Sequence, residues 1–205
     1  MPLVFSPLSE ELLDLPPKRL FPKHAFIMRQ LGDPPAIDLS MNATVVRLFQ
    51  ERGFDTIDAD ASTGSKDYLE RILSLIRGTG FTVAIFSHDT RPTAMANIAL
   101  ELGFAAMCGK PLVIVKSPEA AAPSDLKRTD WIEYDHVQPA EFNRKFMQAV
   151  DEIERLFNFE DELLQTSLDA RSPDCAVGLE RANKGFLLSG DERFVRAAED
   201  LADSS

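Results

Sequence analysis

Thr93, Asn97 and Glu101 recur every fourth residue in a run that reads as helix, so they stack along one side of it. Ile98, Leu102 and Ala105 turn toward the core instead. A carboxylate below an amide and a hydroxyl is a set that can hold sugar hydroxyls and stabilise a positive charge developing on a sugar carbon. Glu101 is followed by Leu102, Gly103, Phe104, Ala105 and Ala106, which brings the carboxylate close to apolar surface. Partial burial raises a carboxyl pKa or demands a partner. The competing reading is a solvated helix face on which Thr93 only caps the helix.

Further candidates come from the residues that end apolar runs: Met28 and Arg29, Asp58 and Asp60, Ser87 to Arg91, then Lys116 and Ser117. If those runs are parallel strands, all four groups gather at one sheet edge, where ligands of such sheets bind. Arg91 can pair with a phosphate or with Asp89, and His88 reads as an exposed loop histidine. Asp67, near a helix start, reads as a favourable charge at the helix dipole. Gly32, Gly64 and Gly78 make no dinucleotide fingerprint, and the chain has no phosphate-binding Gly-Lys-Ser/Thr loop and no nucleophile elbow. His24, His88 and His136 lack the spacing and company of a zinc site, so no metal and no required cofactor is expected.

The elements that must position these residues alternate. His24 to Met28 fits a buried strand, and Arg29 to Asp38 a polar loop. Met41, Val45, Leu48 and Phe49 fit a helix with Asp38 or Ser40 as cap and Gly53 as stop. Phe54 to Ile57 is a second strand. Ser65 can cap a helix carrying Tyr68, Ile72, Leu75 and Ile76, which Gly78 and Gly80 break. Phe81 to Phe86 is a continuous, β-branched strand of the type covered on both faces. A helix from about Thr93 to Cys108, the stop Gly109, a strand Pro111 to Val115 and a short strand Trp131 to Tyr134 complete the pattern. Alternating strands and helices imply a parallel sheet.

From Glu141 onward the period becomes helical. Phe142, Phe146, Val150, Ile153 and Phe157 mark a long amphipathic helix that packs on the domain or on another subunit, with further helices near Leu163 to Leu168, Ala176 to Ala182 and Phe194 to Leu201. The division expected is an arm or linker over 1–22, an α/β domain over 23–138 and a helical extension over 139–205.

With 33 acidic and 22 basic residues the chain carries a formal charge of -11. Residues 141–205, with 15 acidic and 8 basic side chains, supply -7 of it. This surface repels nucleic acid and anionic membranes, while one Arg at a helix start can still hold a small phosphate ligand. Cys108 and Cys175 form no disulfide framework or metal pair and read as small core residues. The first fifteen residues do not read as a signal peptide, and no apolar run is long enough to span a bilayer, so a cytoplasmic location is expected.

The run Gly80-Phe-Thr-Val-Ala-Ile-Phe-Ser-His-Asp-Thr-Arg, continued through Asn97-Ile-Ala-Leu-Glu-Leu-Gly103 to Gly109-Lys-Pro-Leu-Val-Ile-Val115, resembles the nucleoside 2-deoxyribosyltransferase-like and TIR-like nucleotide-binding superfamily. His24 to Arg29 resembles its first strand and ligand loop, and the likeness covers about residues 23–135. It implies a flavodoxin-like, three-layer parallel sheet of about five strands. It also implies a nucleotide ligand and assigns Glu101 as nucleophile or cation stabiliser at the anomeric carbon; the long amphipathic helix adds the expectation of a homo-oligomer. Asp89-Thr-Arg-Pro stands where the transferases carry Asp-Ser-Gly or Asp-Xaa-Gly, and Ser74 where they place an acidic group. Both departures point to the TIR-like branch.

The expected reaction is therefore cleavage of the N-glycosidic bond of NAD or a related nucleotide, with Glu101 and Asn97 catalytic. Met28, Arg29, Asp58, Ser87, Asp89, Arg91 and Thr93 are the expected substrate-binding residues. Alternatives are a nucleoside 2-deoxyribosyltransferase, a nucleoside monophosphate N-glycosidase, and a non-catalytic nucleotide-sensing or protein-interaction module.

Overall fold

The computed structural model describes residues 4–5, 12–13, 21–61, 68–121, 131–168, 175–189 and 192–203. In chain order the elements are β1 (Val4–Phe5), β2 (Leu12–Leu13), β3 (Phe21–Met28), α1 (Ala36–Glu51), β4 (Asp55–Asp58) and a 3-10 turn (Ala59–Ala61). There follow α2 (Tyr68–Gly78), β5 (Thr79–Phe86), α3 (Pro92–Met107), β6 (Leu112–Lys116), β7 (Trp131–Glu133), α4 (Pro139–Leu168), α5 (Cys175–Ser189) and α6 (Glu192–Asp203). Two compact units result: Leu20–Asn158, and Met1–Arg19 with Phe159–Ser205.

In the larger unit, burial on both strand faces dictates three layers. Ala25, Ile27, Val83, Ile85, Val113 and Val115 point to one face and join Met41, Val45, Leu48 and Phe49 of α1 and Phe142, Phe146, Val150 and Ile153 of α4. The alternating residues Phe26, Met28, Ala84, Phe86 and Ile114 point the other way, onto Ile72 and Ile76 of α2 and Ile98, Leu102 and Ala105 of α3. Phe49 anchors the first face, with ring centres 5.1 Å from Phe81 and 4.9 Å from Phe146. Truncating such a ring costs about 3–5 kcal/mol.

The sheet order is β4-β3-β5-β6-β7 and every pairing is parallel. Counted within the sheet alone, this is second, first, third, fourth, fifth, the flavodoxin-like order, whose switch point lies between β3 and β5. The expected fold class is thus the observed one, including the helical extension.

Two of the parallel-layer helices end identically. Gly53 (φ 73°) lets its own N–H reach the Gln50 carbonyl and that of Phe54 the Phe49 carbonyl. Gly109 (φ 63°) does the same onto Ala106, with Lys110 onto Ala105. This paired arrangement with a left-handed glycine satisfies carbonyls that the helix leaves open.

Several sequence expectations need correction. Leu163 to Leu168 is the end of α4, not a separate helix, because nothing in the preceding residues breaks the helix. Gly80 lies inside β5, where its lack of side chain is accommodated in a fully buried strand. The cap of α1 is Pro35, which supplies no side-chain bond; Asp38 is directed to Thr90 instead. Ser65, Asp67, Gly64, most of the N-terminal arm and most of the Pro- and Ala-rich loop before Trp131 lie outside the described residues.

In the smaller unit β1 and β2 pair antiparallel, and α5 packs on α6 through Ala182, Phe186, Phe194 and Ala197. Gly185 allows the Phe194 ring to lie directly on the α5 backbone; a Cβ at 185 would collide with that ring. No described helix is long and apolar enough to cross a membrane.

Candidate functional site

Because all five strands run the same way, the residues that follow β3, β4, β5 and β6 share one edge. Arg29 leaves β3 and donates to Asp58, the last residue of β4, at 2.7 Å. Both side chains are about four-fifths buried, so the pair is shielded from solvent and consumes one acceptor of the expected ligand set. Met28 is fully buried in the core beside α2 and α3. Its side chain supports the edge from below.

The loop after β5 is organised by its own hydroxyls. The Ser87 N–H donates to Thr90 Oγ1 (2.8 Å), Thr90 Oγ1 donates to Asp38 Oδ2 (2.8 Å), and the Asp89 N–H donates to Ser87 Oγ (3.2 Å). Asp38 is 2% exposed, and its other oxygen, Oδ1, is buried without a partner among the described residues. His88 is exposed, 3.2 Å from the buried Ser117 hydroxyl and flanked by Asp89 and Glu119. Lys116 is occupied beneath: its Nζ lies 3.0 Å from Glu133 and reaches the carbonyls of Ser117, Pro118 and Ala120.

Gln30, absent from the sequence-based set, sits at the centre. It is 2% exposed. Its Nε2 donates to the carbonyls of Gly32 and Asp33, and its Oε1 accepts the Arg91 N–H at 2.9 Å. The Arg91 guanidinium donates to the Gly32 carbonyl rather than to Asp89. No spacing signals this: Gln30 lies in a polar loop and its partner is 61 residues away.

The helix stripe divides. Thr93 and Asn97 are exposed, but Glu101 is 9% exposed and lies on the buried side with Ile98, Leu102 and Ala105. The expectation of one polar face is corrected by helix geometry. A spacing of four residues turns about 400°, so each step drifts about 40° and two steps carry Glu101 about 80° from Thr93. Thr93 also does not cap: Arg91 is the cap residue and Pro92 begins the helix. Burial raises the Glu101 carboxyl from its ordinary 4.5 to about 7. No ion pair or hydrogen bond offsets this among the described residues. Glu101 lies nine residues past Pro92, roughly 13 Å down the helix from the edge where the loops gather.

Arg29, Asp58, Ser87, Asp89, Arg91 and Thr93 thus fall at one edge, while Asn97 and Glu101 lie progressively deeper along α3. Among the described residues no three His, Cys, Asp or Glu side chains group as a metal site.

No family model matches the chain, nor does any curated protein. Among solved structures the chain is similar to E. coli constitutive lysine decarboxylase at 15% identity and a TM-score of 0.42, over 73% of this chain and 20% of that one. The chain therefore spans a fifth of that protein's length. The fold assignment rests on strand order and direction.

Proposed function

We propose that the protein binds a nucleotide at the carboxyl edge of its sheet and cleaves the N-glycosidic bond of NAD or a related nucleotide, with Glu101 as the carboxylate at the sugar. The observation that carries this reading is the state of Glu101: nearly buried, unpartnered among the described residues, and raised to about 7. An uncompensated carboxyl in an apolar setting costs folding free energy, and such groups concentrate where chemistry needs them.

In the reaction the bond from ribose C1′ to the nicotinamide nitrogen breaks, and its electron pair leaves with the base. The pyridinium becomes neutral nicotinamide, and the ribosyl carbon takes on positive charge. Ionised Glu101 stabilises that charge, water adds to the carbon and releases a proton to solvent, and ADP-ribose results. A cationic leaving base needs no general acid, consistent with the absence of a carboxylate at Ser74. Asn97 would orient a ribose hydroxyl and Arg91 a phosphate.

A second reading, a binding module without turnover, is favoured by the roughly 13 Å between α3's start and Glu101 and by the engagement of Arg29 with Asp58 and of Arg91 with the Gly32 carbonyl. Incubation with NAD, NADP, nucleoside monophosphates and deoxynucleosides, followed by chromatography of released bases, separates the two. Base release lost in a folded Glu101→Gln variant supports catalysis. Saturable binding with no release supports the module.

A further inference from the structure

The loop of residues 29–35 and the loop of residues 87–91 flank the switch point between β3 and β5, where a ligand of this fold enters. Two bonds fasten them together: the Arg91 N–H is held by Gln30 Oε1 (2.9 Å) and the Arg91 guanidinium by the Gly32 carbonyl. A third ties the second loop to the first turn of α1, which follows the first loop directly, through the Thr90 hydroxyl and Asp38 Oδ2 (2.8 Å).

We propose that these three bonds are a clasp across the two flanks of the switch point, and that a phosphate-bearing ligand opens it by drawing the Arg91 guanidinium off the Gly32 carbonyl. The inference rests on the reading that a nucleotide binds at this edge. Its chemistry is an exchange of acceptors. A phosphate offers charged oxygens in a geometry that matches both guanidinium donors, whereas Gly32 offers one neutral oxygen. Gln30 retains the Arg91 main chain during the exchange, so only the side chain has to swing.

Two features lie beside the clasp. Asp33, a non-glycine residue, has φ 50°, and its carbonyl is pinned by Gln30 Nε2 at 2.6 Å. Asp38 Oδ1 is buried with no partner among the described residues, although its twin oxygen is bonded to Thr90.

Amide hydrogen exchange on the full chain tests both halves. Without ligand, Thr90→Val should raise exchange in residues 29–33 and 87–91 together, roughly five-fold, and leave β6 unchanged, with Thr90→Ser restoring protection. Loops that respond separately, or not at all, overturn the clasp. Pyrophosphate, the probe for the second half, should raise exchange at residues 29–33 in wild type and have no effect in Arg91→Ala. A clasp confirmed by Thr90→Val but indifferent to pyrophosphate overturns phosphate-driven opening and leaves the clasp itself standing. Pyrophosphate binding that protects residues 29–33 instead supports the edge as a phosphate site and overturns the proposed direction of movement.

Discussion

Asn97 and Glu101 are one helical turn apart on α3, yet Asn97 faces solvent while Glu101 is 9% exposed. A carboxyl in that position is protonated more readily in the folded chain than in the unfolded one.

The sign of the resulting linkage follows. Between 4.5 and about 7 the folded state binds the extra proton, so stability falls as pH rises through that window and the full penalty stands above it. The displacement corresponds to on the order of 3 kcal/mol. Glu101→Gln should therefore stabilise the protein by up to about that amount above about pH 8 and change little near about pH 4. Urea denaturation at the two pH values measures it, and equal effects at both would remove burial as the cause.

If Glu101 acts ionised, base release should depend on the same proton. The kcat/KM profile should rise with pH and level off above about 7, because it reports the free protein. In the complex with NAD, the cationic ring favours the carboxylate, so the kcat limb should lie at lower pH. A profile flat across this window would assign the ionisation no part in the reaction.

Lys110 tests whether the Gly-Lys-Pro segment is architecture. Its Nζ is 2.7 Å from both the Arg77 carbonyl, in the last turn of α2, and the Thr79 carbonyl, at the start of β5, and it precedes β6, about 17 Å from the ligand edge across that strand. Lys110→Met should destabilise by about 2–4 kcal/mol and leave NAD affinity unchanged below the melting transition. Thermal unfolding and calorimetric titration give the two quantities.

Gly185→Ala places a methyl group against the Phe194 ring and should destabilise the α5–α6 pair by about 1–3 kcal/mol. Adding Phe194→Leu, which shortens the opposing side chain, should recover part of the loss. A double-mutant cycle that is strictly additive would show that the two positions do not meet.

The sheet was legible because its signals are local. The apolar runs 81–86 and 111–115 are long enough to be strands covered on both faces, and Gly53 and Gly109 mark helix ends by their backbone freedom. The side of α3 that Glu101 occupies was not legible. Apolar residues surround that helix, so its pattern carries little direction, and a spacing of four drifts far enough over two turns to cross from solvent to core. Arg29 and Asp58 could be placed at one edge from strand order alone. Their mutual pairing, and the role of Gln30, depend on contacts between loops far apart in sequence, for which no spacing rule exists.

The strand order also governs how the chain must be made. β5 lies between β3, completed some fifty residues earlier, and β6, which begins at Leu112. Parallel neighbours cannot close as hairpins, so each pairing awaits a whole crossover. On the ribosome, β3 and β4 would emerge with an uncovered apolar flank until Phe86 had cleared the exit tunnel. Synthesis of this protein therefore carries an interval in which its central strand is still missing, and chaperone capture of arrested nascent chains should peak there.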